Sequence, residues 1–291
     1  MPLFINGKSL QECLLEAEEF LKEAGIENAA REAQLLFCLG LGLDKAKLFT
    51  LSTKPLSQKE RAKLEKLVKS RASKMPFAYL AKTKNFYGRD FYVSRHVLIP
   101  RPETEELCEL VLRTQPVSHL ADLGCGSGCL GLTLYLENFC QTVLLCDISR
   151  KAIEIACKNA ARLLGERTSS VTFLHHDFTK PFPYLFHNFF DVVVSNPPYV
   201  IEEEWEEVSP DVRFFEPKLA LLVKNPKRFF HDMFCQVGAI LKIGGRLFLE
   251  TSPNLISLQK SLLEKLGFCD VEVHQDYAYK NRFLSCRKAF P

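Results

Sequence analysis

From about residue 103 the chain keeps alternating between two patterns. Apolar runs of strand length (SHLADLG, TVLLCDI, VTFLHHD, FDVVVSNPPYV, RLFLET) are interspersed with segments whose apolar residues recur at helical spacing (ETEELCELVLRTQ, the stretch after Gly128, RKAIEIACKNAARLLG, 226–242, LISLQKSLLEKLG). Runs that are apolar almost throughout need cover on both faces, and parallel neighbours need a long crossover between them. The pattern therefore predicts an α/β domain, a mostly parallel sheet with helices on both sides. Ser149 is placed to cap the helix that follows it, and Gly165 to stop it. Two final strands near 269–274 and 282–287 are separated by a short connection, so the last strand is expected to be antiparallel.

Upstream, residues 1–75 read as helical. Ser9 with Glu12, and Ser57 with Glu60, form the S-x-x-E capping-box pattern ahead of LLEAEEFLKEAG and RAKLEKLVKSRAS. Asn28 is placed to cap a helix over AAREAQLLFCLGL. A bundle of three or four helices is expected, a packing or substrate-docking domain without chemistry of its own. Residues 76–100 change character: NFYGRDFYVSRHVLI is aromatic and β-branched around Gly88, and reads as a β-hairpin linker. The remainder, 101–291, is the catalytic candidate.

Composition narrows the function classes. The chain has 47% apolar and 25% charged residues and a net charge of +3, so no charge excess calls for stable nucleic-acid or membrane binding. It contains no stretch of eighteen apolar residues, and MPLFINGKSLQE has neither the basic region nor the apolar run of a signal peptide. The eleven cysteines lie mostly inside apolar runs without any CxxC, and the close pair Cys125 and Cys129 brings no histidine cluster. Reduced, buried thiols in a cytoplasmic protein, with no metal site, are expected.

The first chemical motif is Asp122-Leu123-Gly124-Cys125-Gly126-Ser127-Gly128, between a strand and a helix. Ligands of α/β sheets bind at that junction, and glycines allow the backbone to approach them closely. Asp147 ends the next strand, where a carboxylate accepts ribose hydroxyls. The G-x-G-x-G spacing lacks the third glycine of a dinucleotide fingerprint. Asp122, just ahead of the glycines, would repel a pyrophosphate but suits a ligand carrying an amino group and a sulfonium charge. Asp177 and Phe178, after the third strand, are candidates for the adenine amino group and ring face; His175 and His176 are read as loop residues.

The second motif, Asn196-Pro197-Pro198-Tyr199, ends the fourth strand on the same sheet edge. Pro197 has no N–H and offers only a carbonyl, and the Asn196 side chain adds another. Two fixed acceptors can hold both hydrogens of a planar NH2 and orient its nitrogen for direct displacement, and Tyr199 can stack on the flat group. The bland alternative is a Pro-Pro turn with a local Asn cap.

Here the residues resemble a known family, the HemK/PrmC-type protein-(glutamine-N5) methyltransferases that modify peptide chain release factors. The resemblance runs from the helical N-terminus through Arg71 with MPFAYL, NFYGRDFYV, VLIPRPETE (Val97–Glu105), DLGCGSG, HDF, VSNPPYV and GGRLFLE to DYAYKNRF. It implies a Rossmann-like class I methyltransferase sheet and S-adenosylmethionine as cofactor, with S-adenosylhomocysteine as product. Gly124 to Gly128, Asp147, Phe178 and Asn196 would contact the cofactor. It implies that Asn196 to Tyr199 hold the glutamine amide of a release factor's Gly-Gly-Gln loop, and that the helical domain helps to dock that protein. A monomer is expected. The chain departs from the family pattern at EPKLALLVKNPKRFF and at Glu250-Thr251-Ser252-Pro253, both expected to lie outside the clamp. No role is assigned to Arg101 or Glu103 beyond shaping the entrance.

Other classes make different demands. An adenine or cytosine amino methyltransferase would share the NPPY motif but needs a basic face for phosphates. Glutamine methylation of a ribosomal protein is a close variant. A non-catalytic cofactor-binding protein has no need of intact acceptors at Asn196 and Pro197, and an NAD-linked oxidoreductase fits the glycine spacing poorly.

Overall fold

A computed structural model describes residues 3–289. The chain forms two compact units, one running to Lys82 and including Pro210–Phe215, the other spanning Thr83–Ser209 and everything from Glu216 onward.

The first unit is helical: α1 (Leu10–Glu23), α2 (Ala29–Leu41), α3 (Lys45–Thr50), α4 (Gln58–Ala72) and α5 (Phe77–Ala81). Both predicted capping boxes form. Ser9 N donates to Glu12 Oε2 at 2.7 Å and Ser57 N to Glu60 Oε2 at 2.8 Å, and each serine hydroxyl accepts from the N3 amide. Asn28 does not cap α2 through its side chain. Its φ of 52° is left-handed, whereas a capping side chain needs the extended backbone that Ser9 and Ser57 adopt. The helices close over Leu10, Cys13, Leu21, Leu36, Phe37, Leu64 and Val68. Half-buried Arg71 bonds Glu32 at 2.8 Å and Asp211 at 3.1 Å, tying Pro210–Phe215, a distant piece of sequence, to α2 and α4.

The second unit starts with the predicted hairpin, β1 (Thr83–Phe86) and β2 (Arg89–Tyr92). Its two-residue turn has left-handed φ at Tyr87 (49°) and Gly88 (74°), the geometry that matches strand twist. Then come α6 (Pro102–Leu112), β3 (Val117–Leu123), α7 (Cys129–Leu136), β4 (Cys140–Asp147), α8 (Arg150–Leu164), β5 (Val171–His175) and β6 (Phe190–Ser195). After α9 (Pro210–Phe215), which belongs to the helical unit, follow α10 (Pro226–Ile240), β7 (Leu241–Glu250), α11 (Ile256–Lys265), β8 (Phe268–Gln275) and β9 (Asn281–Lys288).

The sheet order is β5-β4-β3-β6-β7-β9-β8. Strands β5, β4, β3, β6 and β7 are parallel, and β9 runs antiparallel between β7 and β8, as its short connection requires. One face carries a core of Leu107, Leu120, Leu132, Leu145 and Val194; the other carries Leu123, Val193, Phe230, Phe234 and Leu247. This is the Rossmann-like α/β arrangement expected. Its topological switch point lies between β3 and β6, where ligands of such sheets bind. The eleven cysteines are free thiols, and seven of them are buried.

Candidate active site

Strand register brings the motifs to one edge. Leu123 pairs with Cys146 on one side and Ser195 on the other, and Ser195 pairs with Leu249. The residues that follow (Gly124, Asp147, Asn196 and Glu250) therefore emerge side by side at the carboxyl ends of β3, β4, β6 and β7. A cavity of about 460 Å³ opens there. Its wall includes Asp122, Gly124 to Ser127, Asp147, Asp177, Phe178 and Asn196.

The glycine loop is held by backbone. Gly124 N and Cys125 N both donate to Cys146 O, at 2.8 and 2.9 Å. Gly124, Gly126 and Gly128 all have left-handed φ (76°, 54° and 79°), so side chains here would be strained. A Cβ on Gly124 would lie 3.4 Å from the Phe178 ring and 3.9 Å from Asn196 O, which shows how closely the two motifs approach. Buried Asn159 of α8 accepts from Tyr92 N at 2.7 Å and donates to Ser127 O at 2.8 Å, locking the loop to the hairpin.

Two buried carboxylates flank the glycine loop. Asp147 accepts from Gly126 N at 2.9 Å and Ser149 N at 2.8 Å, yet burial still raises its pKa. Asp122 accepts from Gly131 N at 2.9 Å; burial, with Asp147 nearby, pushes it up to about 7. Acids held above their ordinary range beside a cavity are what a cationic ligand with hydroxyls would relieve. The donor set fits S-adenosylmethionine: acids at Asp122 and Asp147, a further carboxylate at Asp177, and an aromatic wall at Phe178. Asp177 spends one oxygen on the Thr179 amide and hydroxyl, and Phe178 is 6% exposed, edge-on to Phe229. His176 lies in the loop as expected, its ring against Lys180 O, whereas His175 is the last residue of β5, paired with Asp147, and its ring meets Ile148 O.

At the second motif, Asn196 Nδ2 donates to Thr104 Oγ1 at 3.0 Å, while Asn196 Oδ1 is buried without a partner. Asn196 and Pro198 line the cavity; Pro197 is buried, and Tyr199 is anchored by its hydroxyl to Glu250 Oε1 at 3.0 Å. The stacking face expected of Tyr199 is thus fixed from its far end.

Three residues that position the site escaped the sequence reading: Thr104, Asn159 and Glu250. Glu250 ends an apolar strand as Asp122 and Asp147 nearly do, and that shared pattern could have flagged it. The expectation that the departure at 250–253 lies outside the clamp is corrected, while the departure at 216–230 contributes cavity wall. Glu250 contacts Tyr199 directly, and Pro217, Leu222, Val223 and Phe229 form cavity wall, because β7 lies next to β6 and its end faces Asn196. Arg101 lines the cavity and bonds Glu216 at 2.5 Å; Glu216 also accepts from Ile99 N at 3.0 Å. The VLIPRPETE run therefore lines the cavity and, through Thr104, hydrogen-bonds Asn196.

The sequence matches the PrmC N-terminal domain family over residues 12–81 and the methyltransferase small domain over 104–225. Release factor glutamine methyltransferase of Leptospira interrogans is 35% identical over 95% of this chain and 97% of its own length. The protein of that name from Chlorobaculum tepidum is 33% identical over 96% and 97%. That from Koribacter versatilis is 38% identical over 83% and 86%. With the sheet, the glycine loop and the NPPY corner of a methyltransferase, and relatives that align over nearly their full lengths, this chain belongs to the release factor glutamine methyltransferase family.

Proposed function

We propose that the chain methylates the side-chain amide nitrogen (N5) of the glutamine in the Gly-Gly-Gln loop of peptide chain release factors. S-adenosylmethionine is the donor and S-adenosylhomocysteine the product. The observation that carries the reading is the unpartnered, buried Asn196 Oδ1 on a residue of the cavity wall. A buried acceptor without a donor is costly, on the order of 1–3 kcal/mol, and a substrate NH2 supplies the missing hydrogen.

The cofactor, when bound, supplies an electrophilic methyl carbon on a positively charged sulfur. The protein does the rest. Asp147 and the glycine loop hold the adenosine group, and Asp122 stabilises positive charge beside it. Phe178 packs on the adenine and Asp177 accepts from its amino group. Asn196 Oδ1 and the Pro197 carbonyl grip the two amide hydrogens, and Tyr199 lies against the flat group. An amide lone pair is delocalised, so orientation must supply much of the rate, ~7–11 kcal/mol when reactants are well aligned. The two acceptors hold more strongly as positive charge builds on nitrogen, and the proton that the nitrogen then sheds passes to solvent. Residues 1–75 dock the protein substrate and 76–100 serve as the linker. The enzyme works as a monomer in the cytoplasm, without a metal and without stable nucleic-acid or membrane binding; reduced thiols suit that compartment.

The test is incubation with methyl-labelled S-adenosylmethionine and a purified bacterial release factor, alongside its Gly-Gly-Gln Gln→Ala variant and duplex DNA. Label on the release factor alone, lost in the variant, is expected. Label on DNA, or retained by the variant, refutes the reading.

A further inference from the structure

An asparagine amide can face either way, and only one orientation serves a clamp that needs an acceptor. We propose that Thr104 and Glu250 are positioning residues that fix the orientation of the Asn196 side chain and so keep its carbonyl oxygen for the substrate. The inference rests on the clamp reading and adds a cause for it.

Glu250, at the end of β7, is fully buried. Its Oε2 accepts from Thr104 Oγ1 at 2.7 Å and its Oε1 from Tyr199 OH at 3.0 Å. An ionised carboxylate only accepts, so the single Thr104 proton is committed to it. Thr104 Oγ1 can then only accept from Asn196, and the end of the amide that faces it at 3.0 Å must be Nδ2. Oδ1 is left turned away from Thr104, without a partner. The same carboxylate fixes Tyr199, so one buried acid sets both ends of the Asn196–Tyr199 turn. Thr104 is itself 3% exposed.

Protonation would scramble this order. A carboxyl group donates its hydrogen to one of the two hydroxyls; if that is Thr104, the freed Thr104 proton points to Asn196 and favours the flipped amide. Burial pushes Glu250 up to about 7, against the Thr104 and Tyr199 hydrogen bonds and the Arg282 guanidinium of β9, with Glu103 of α6 as a further like charge. The reaction therefore has an acid limb in kcat near that pH. Asp122 also titrates there, but acts on the affinity for the cofactor.

The experiment measures kcat, both KM values and S-adenosylmethionine affinity between pH 5.5 and 9. It compares wild type, Thr104→Val, Thr104→Ser, Glu250→Gln and Asn196→Ala, with label transfer to a purified bacterial release factor. Thr104→Val should lower kcat about tenfold to hundredfold, the worth of one buried hydrogen bond, with cofactor affinity within about threefold. Thr104→Ser, which keeps the hydroxyl, should recover most of that loss. Glu250→Gln should lose kcat at pH 8.5 and show no acid limb. A wild-type kcat in Thr104→Val beside an inactive Asn196→Ala overturns the positioning role and leaves the clamp standing. Full activity of Asn196→Ala overturns both. If Thr104→Val does not fold, Glu250→Gln decides, and a retained acid limb refutes the proposal.

Discussion

Gly131 sits in the first turn of α7 and donates its amide to Asp122 at 2.9 Å. Replacing it with alanine sets two effects against each other. Alanine is the better helix former by about 1 kcal/mol. The new methyl, however, would lie 2.6 Å from Leu145 Cδ2 and 3.0 Å from both Cβ and Oδ2 of Asp122. Leu145 is fully buried in the core and Asp122 is fixed on β3, so neither neighbour can swing aside. Overpacking of this kind costs about 1–3 kcal/mol. Pushing the carboxylate off the Gly131 amide forfeits a hydrogen bond to a charged group, roughly 1.5–3 kcal/mol. The sum is a net destabilisation of roughly 1.5–5 kcal/mol, read as a fall in Tm of at least about 3 °C for a unit of this size. If Asp122 borders the cofactor, affinity should also fall roughly tenfold, the equivalent of ~1.4 kcal/mol. Gly238→Ala is the internal control. It lies within α10, and its nearest neighbours, Phe268 ring carbons at 3.7 and 3.8 Å, are in ordinary contact. That variant should be unchanged or slightly more stable. Scanning calorimetry and titration with S-adenosylmethionine check both. A Gly131→Ala protein as stable as wild type refutes the packing argument; a destabilised one with unaltered affinity removes Asp122 from the cofactor site.

Asp147→Ala should weaken S-adenosylmethionine binding at least tenfold, through lost ribose contacts and a loosened Gly126 amide; unchanged affinity by calorimetry would remove the ribose assignment. Glu250 has a folded-state pKa of about 7, raised by burial above its ordinary 4.5, so its contribution to stability is greatest below 4.5 and is lost as pH rises through 7. Urea unfolding should therefore show Glu250→Gln gaining on wild type by on the order of 3 kcal/mol between pH 4.5 and 8, and a difference independent of pH would contradict the buried-acid account. Ser57→Ala should cost the helical unit about 1 kcal/mol through loss of the α4 cap, with a similar denaturation midpoint counting against the capping box as a stabilising element.

The architecture was legible in the sequence because periodicity and caps are local. The strand runs ending in DLG, CDI and VSN, the Ser9 and Ser57 capping boxes and the Gly165 stop each depend on residues within a few positions. The glycine loop, Asp147 and the NPPY turn were readable for the same reason: each pairs a special residue with a strand end. Asn28 failed because its capping role depends on a backbone conformation imposed by the preceding turn. Tertiary structure alone decided which residues back the site. Register sets Ser195 beside Leu249, 54 positions on, and so places Glu250 against Tyr199. Packing of α6 brings Thr104 to Asn196 across 92 residues, and Arg71 meets Asp211 across 140. A hydrogen bond between such distant residues leaves no periodic trace in either segment. What chain order encodes is the set of groups able to do chemistry, Glu250 at its strand end among them; which way Asn196 faces is settled by the contacts that tertiary packing gives that acid.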